Sequence, residues 1–208
     1  MKNLKIILKA ILAGILIGIA GNVYLSLYNT NYILGAFLFS FALVVIVSLE
    51  YNLYTGKVGY LIENKITYLI DLLLIILGNF IGIFFIVLTI FVANHNDVFI
   101  IANDLVIKKL EYSPYQVLAL SILCGMLMYL AVEGFRRIEN VIAKLVVVIM
   151  AVVIFILSGL EHSIANIFYF LLAKSFSFKT LFYFIIMLIG NGIGANLLNF
   201  LEIKAKLK

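Results

Sequence analysis

The sequence predicts an all-α integral membrane protein of six spans arranged as two repeated halves. Three observations carry this. First, 65% of the 208 residues are hydrophobic and 12% are charged, with mean hydropathy +1.21. A water-soluble domain is about half apolar and about a quarter charged, so this chain lacks the polar surface to cover itself and takes the bilayer as solvent. Second, the apolar residues fall into runs of membrane-crossing length. Third, a pattern recurs. Gly78-Asn79-Phe80-Ile81-Gly82 lies inside one apolar run and Gly190-Asn191-Gly192-Ile193-Gly194 inside another. Each is preceded by a polar break, at Leu53-Tyr54-Thr55-Gly56 and at Ser158-Gly159-Leu160-Glu161-His162. Each half therefore reads as a broken helix followed by a helix carrying G-N-x-x-G. Paired breaks at corresponding places are a sequence pointer to a transport site.

The first span, 6–28, follows Met1-Lys2-Asn3-Leu4-Lys5. That start resembles a signal peptide, but no small-residue cleavage site follows and the apolar run is too long, so it reads as a retained span. The second, 32–49, ends in Glu50-Tyr51-Asn52, and a short stretch at 58–64 precedes the third, 66–93. The segment 94–114 is polar, with a short surface helix expected at 98–109. The fourth span is 115–132. The fifth, 141–170, is broken; neither 145–157 nor 163–173 crosses alone at 1.5 Å per residue, and together they do. The sixth is 178–201. Irregular backbone at membrane depth is tolerated only inside protein or beside a wet cavity. The whole chain, 1–208, reads as a single domain, with repeat one at about 1–93 and repeat two at about 112–208.

Lys and Arg set the expected orientation. With both termini cytoplasmic, eleven of the 15 basic residues lie on inner segments, Lys208 among them. Lys108, Lys109, Lys174 and Lys179 lie outside. That bias follows the positive-inside rule, so the net charge of +5 is a topology signal with no nucleic-acid partner implied. Tryptophan is absent, and the twelve tyrosines are expected to supply interfacial aromatics. Cys124, the lone cysteine, reads as a small packing residue.

Few residues carry chemistry. The G-x-x-x-G pairs, including Gly14 with Gly18, put two glycines on one helix face and let backbones approach closely. Thr55-Gly56 offers a hydroxyl and backbone donors at the first break, or is an ordinary loop between short helices. His162 opens the second half of the fifth span, and Asn166 follows one turn on, on the same face. An intramembrane histidine is costly and is a functional candidate; a helix-start histidine bonded to loop backbone is the alternative. Glu161 adjoins His162 but points elsewhere on a helix, so the two are not paired. Lys109 and Lys108 are either solvated loop charge or an electropositive vestibule that attracts anions. Glu133, Arg136, Arg137 and Glu139 read as an inner charged cap. No metal site or cofactor is expected, since His95 is the only other histidine. Catalytic motifs are missing as well, and Ser163 beside His162 does not face it.

These elements resemble the formate/nitrite transporter family over nearly the whole chain. The resemblance rests on Leu53-Tyr54-Thr55-Gly56, Gly78-Asn79-x-x-Gly82, the run from Leu123 to Ala131, Gly159-Leu160-Glu161-His162-Ser163-Ile164-Ala165-Asn166, and Gly190-Asn191-Gly192-Ile193-Gly194. It implies an aquaporin-like protomer of two inverted three-helix repeats, with the second and fifth helices broken, assembled as a homopentamer in the cell membrane. It implies transport of a small monovalent weak-acid anion of the formate, nitrite or hydrosulfide class. By position, Leu53, Thr55 and Gly56 match the family's loop after the first half-helix. His162 matches the central pore histidine, Asn166 the asparagine one turn on, and Lys109 the vestibule lysine. Gly125 departs from the pattern: the family has an asparagine there, so the pore is expected to lose an amide and gain room.

The function expected is a channel or transporter for such an anion, with the proton supplied near His162 or by water relayed there. Thr55 is expected to face one end of the pore and His162 the other. The alternative is a pore for a neutral solute such as water, ammonia or urea, which gives Lys109 no task.

Overall fold

The computed structural model describes residues 2–207, all of whose regular elements are helices; Met1 and Lys208 lie outside the described residues. Helix α1, Lys2–Ser48, is interrupted at Asn31, whose backbone is non-helical (φ −155°, ψ 77°). The Asn31 side chain accepts from the Leu34 amide at 3.0 Å, so one residue ends the first arm and caps the second. The arms fold back on each other. A Cβ on Gly35 would touch Tyr24 and Leu27, and at the far end the Asn52 amide reaches the Lys9 carbonyl at 3.2 Å.

The second arm stops at Glu50 in the left-handed region (φ 53°). A single helical turn follows, α2 at Tyr54–Lys57, continuing into a 3₁₀ turn at Val58–Glu63. Then come α3 (Tyr68–Val92), α4 (Asn96–Glu111), α5 (Pro114–Arg137), α6 (Val141–Leu157), α7 (Ser163–Leu172) and α8 (Phe178–Lys204). Their starts are written locally. Ser113 and Gln116 form a capping box before Pro114, and Asn140 and Ser177 cap α6 and α8. Four helices, α1, α3, α5 and α8, are long and apolar enough to cross a bilayer. Large apolar side chains stay exposed along α3 and α8, as a lipid-facing surface requires.

The surface helix expected at 98–109 exists as α4 but is more than a surface feature. Val98, Ile101, Ala102 and Val106 are buried, and the helix packs over α7. The inner charged cap takes the form of a tight cluster. Glu133 is buried and bonded by Tyr60 at 2.5 Å and by Arg136 and Arg137, both at 3.1 Å.

The two halves repeat each other's contacts. α6 ends, like the second arm of α1, at a left-handed residue, here Gly159 (φ 63°). Asn79 accepts from the Tyr54 amide at 3.0 Å and donates to the Ala10 and Asn52 carbonyls, both at 2.8 Å. Asn191 does the same in the second half. It accepts from the Ser163 amide at 2.9 Å and donates to the Ser121 and Glu161 carbonyls at 2.8 and 2.9 Å. Each G-N-x-x-G asparagine thus clamps its broken helix to the first helix of its own half. The flanking glycines permit the approach. A Cβ on Gly14 would overlap the Asn79 carbonyl, and one on Gly125 the Asn191 carbonyl.

Candidate functional site

The two breaks meet. Thr55 Oγ1 lies 2.9 Å from His162 Nε2, and both residues are buried. Thr55 and His162 are therefore in contact at one point, which corrects the expectation that they face opposite ends. The other ring nitrogen fixes the tautomer. His162 Nδ1 accepts the Ala165 amide at 3.0 Å, as the N-cap of α7. A nitrogen that accepts carries no proton, so the hydrogen sits on Nε2 and is donated to Thr55 Oγ1. His162 is thus a helix-start residue bonded to backbone at Nδ1 that turns a donor toward Thr55 at Nε2.

Two cavities flank this contact. The one on the α4 side, about 420 Å³, reaches His162, Glu161, Asn166 and Lys109. The one on the α2 side, about 800 Å³, is lined by Leu43, Leu53, Gly56 and the charged residues Lys9, Glu50, Lys57, Glu63 and Arg136. Between them stand apolar side chains. The Phe155 ring stacks on the His162 ring at 5.4 Å, and Phe39 meets Phe155 edge-on at 6.1 Å. Leu53 is buried and caps α2. Neither Phe39 nor Phe155 was singled out in the sequence, because 17 phenylalanines give no way to tell a pore ring from a lipid-facing one.

Glu161, set aside in the sequence, is a further residue of the site. It does not face His162, as expected, yet it belongs to the site. Its Oε2 takes the Lys109 ammonium at 2.7 Å and the Asn166 amide at 2.8 Å. Asn166 also donates to the His162 carbonyl at 3.0 Å. Glu161 is fully buried and the Lys109 side chain is 15% exposed, so the ammonium compensates a charge that burial alone forbids. The vestibule is accordingly less electropositive than Lys109 alone implies. Glu161 Oε1 and Asn166 Oδ1 are buried with no partner among the described residues, leaving acceptors beside the cavity.

Gly125 lines neither cavity. It sits at the crossing of α5 and α8 against Asn191, where Gly14 sits against Asn79 in the first half. Its glycine is required by helix packing, and the expected gain of pore room at that position does not arise. Among the described residues no group of His, Cys, Asp and Glu is placed to hold a metal.

The family profile described as formate/nitrite transporter matches residues 1–202. No curated protein sequence matches the chain. Among solved structures, a pentameric formate channel with formate bound superposes with TM-score 0.83 at 25% identity, covering 100% of this chain and 98% of that one. An FNT family ion channel superposes with TM-score 0.84 at 20% identity, covering 94% of this chain and 87% of that one. With the profile spanning nearly its whole length, the chain belongs to the formate/nitrite transporter family and is a multi-pass membrane transport protein, not an enzyme.

Proposed function

We propose that the protein is a channel for a small monovalent weak-acid anion of the formate, nitrite or hydrosulfide class, with permeation linked to a proton. The observation that carries the reading is the meeting of two polar half-helix breaks, Thr55 against His162, between two cavities and inside an apolar ring of Phe39, Phe155, Leu43 and Leu53. A bare anion pays heavily to enter such a ring. Its conjugate acid does not, and it finds hydrogen-bonding groups on Thr55 and His162 between the two cavities. Because His162 is held as a neutral donor, the proton comes from bulk hydronium relayed through cavity water, which leaves no hydroxide behind, to an anion concentrated near Lys108 and Lys109.

In this reading α1 supplies two crossings and α6 with α7 one broken crossing, giving six spans in two inverted halves. The repeated clamps of Asn79 and Asn191 support the halves, and the pentamer of the related formate channel supports a homopentamer with one pore per protomer. The lysine and arginine bias favours the cell membrane with both termini cytoplasmic. A neutral-solute pore is the competing class. Flux of formate, nitrite, hydrosulfide and urea into proteoliposomes at two pH values separates the two. The proposal expects anion flux that rises as pH falls and that His162→Phe abolishes. Urea flux without anion flux, or normal pH-dependent anion flux in His162→Phe, rules it out.

A further inference from the structure

Five of the twelve tyrosines, Tyr24, Tyr28, Tyr32, Tyr112 and Tyr169, line the α4-side cavity. They come from separate elements. Tyr24 and Tyr28 stand one turn apart near the end of the first arm of α1, with ring centroids 5.6 Å apart. Tyr32 opens the second arm just past the Asn31 cap, Tyr112 joins α4 to α5, and Tyr169 lies on α7. An interfacial girdle does not explain them. Tyr115, 83% exposed, is the girdle type, whereas Tyr24 and Tyr169 are 8% and 7% exposed and face a cavity.

Their hydroxyls set them apart from the other tyrosines of the interior except Tyr51. A buried tyrosine hydroxyl normally finds a partner. Tyr54, Tyr60, Tyr68, Tyr129 and Tyr183 each do, on Leu188, Glu133, Lys57, Glu202 and Tyr112 respectively. No hydroxyl of the five cavity tyrosines bonds to a described residue. The cavity therefore offers several neutral O–H donors, while of its two lysines Lys109 is tied to Glu161 at 2.7 Å and Lys108 is exposed.

Resting on the anion-channel reading, we infer that these tyrosines form a phenolic binding site that holds an oxyanion, carboxylate or nitrite, before the Phe39–Phe155 ring and disfavours hydrosulfide. Phenol donors suit hard oxygen acceptors; a sulfur anion is a weak acceptor and gains little from them. Neutral donors also bind without trapping, which a conducting site needs. The cavity volume of about 420 Å³ accommodates a small oxyanion together with several waters.

The test compares the concentration dependence of formate and hydrosulfide flux in proteoliposomes for wild type, Tyr24→Phe, Tyr32→Phe and the variant combining Tyr24→Phe, Tyr28→Phe and Tyr32→Phe. Loss of one donor to a charged acceptor in a wet cavity predicts about a fivefold rise in the half-saturating formate concentration for Tyr24→Phe, and at least about tenfold for the triple variant. Hydrosulfide half-saturation should shift far less. Tyr32 is 50% exposed at the rim, so its substitution reports on the site without disturbing the interior. Binding is read separately. The chain has no tryptophan, so tyrosine emission is unmasked, and the formate concentration that half-perturbs it should be at least about tenfold higher in the triple variant than in wild type. Equal shifts for formate and hydrosulfide, or no shift for either, overturn the phenolic site alone. A wild-type protein that carries no anion overturns the channel reading and this inference with it.

Discussion

Replacing Asn191 by alanine removes three hydrogen bonds at once and leaves the Ser163 amide and the Ser121 and Glu161 carbonyls without that partner. An unpaired buried polar group costs about 1–3 kcal/mol, whereas hydrogen bonds between membrane helices average about 0.6 kcal/mol. The Ser121 carbonyl lies within α5 and keeps its helical bond, so it falls at the low end. The Ser163 amide is the first of a helix and has no other acceptor, so it falls at the high end. The sum is a loss of about 2–4 kcal/mol. Equilibrium unfolding in mixed micelles with increasing dodecyl sulfate measures it. The parallel substitution Asn79→Ala breaks the same three kinds of bond around Tyr54. It should cost the same to within about 1 kcal/mol. Wild-type stability in either variant, or one variant crippled and the other untouched, would refute the equivalence of the two clamps.

Gly125→Ala places a methyl on the Asn191 carbonyl and should destabilise the fold by about 1–3 kcal/mol, as should Gly14→Ala; thermal unfolding of the purified protein checks both. Lys109→Ala strands the buried Glu161 carboxylate and should cost about 3–5 kcal/mol, while adding Glu161→Gln should recover most of the loss; the same unfolding assay run as a double-mutant cycle decides. His162→Asn keeps a side-chain acceptor for the Ala165 amide and a donor, so it should fold like wild type, whereas His162→Phe should lose about 1 kcal/mol of helix capping as well as flux. Thermal unfolding alongside formate uptake separates the two effects.

Much of the fold was legible because its signals are local. The apolar runs 6–28 and 32–49 meet at the reversal in α1, and the two G-N-x-x-G runs flag the clamped halves. The site was legible only in its members. His162, Asn166 and Lys109 stood out as polar groups in or beside apolar sequence, but their partners depend on contacts between distant segments. Thr55 meets His162 across the two halves, and Lys109 meets Glu161 from a different helix, with no periodicity to announce either. Glu161 was set aside on helical geometry, yet it lies just before α7 in extended chain, where that geometry does not apply. Gly125 was misjudged for the opposite reason. A single small residue reads alike whether it widens a pore or seats a helix, and only the overlap with Asn191 distinguishes them.

The asparagine clamps also bear on how the chain reaches this structure. Asn79 bonds only residues that precede it, and the partners of Asn191 all lie between α5 and the start of α7. Each break is sealed by atoms of its own half, so the first can close during synthesis while the second is still on the ribosome. Contacts that join the halves, such as Thr55 with His162 and the Asn199 side chain with the Gly59 carbonyl, involve neither clamp asparagine. Biogenesis then becomes the docking of two prefolded units, and the exposed polar backbone at each break is sheltered from lipid before the pore exists.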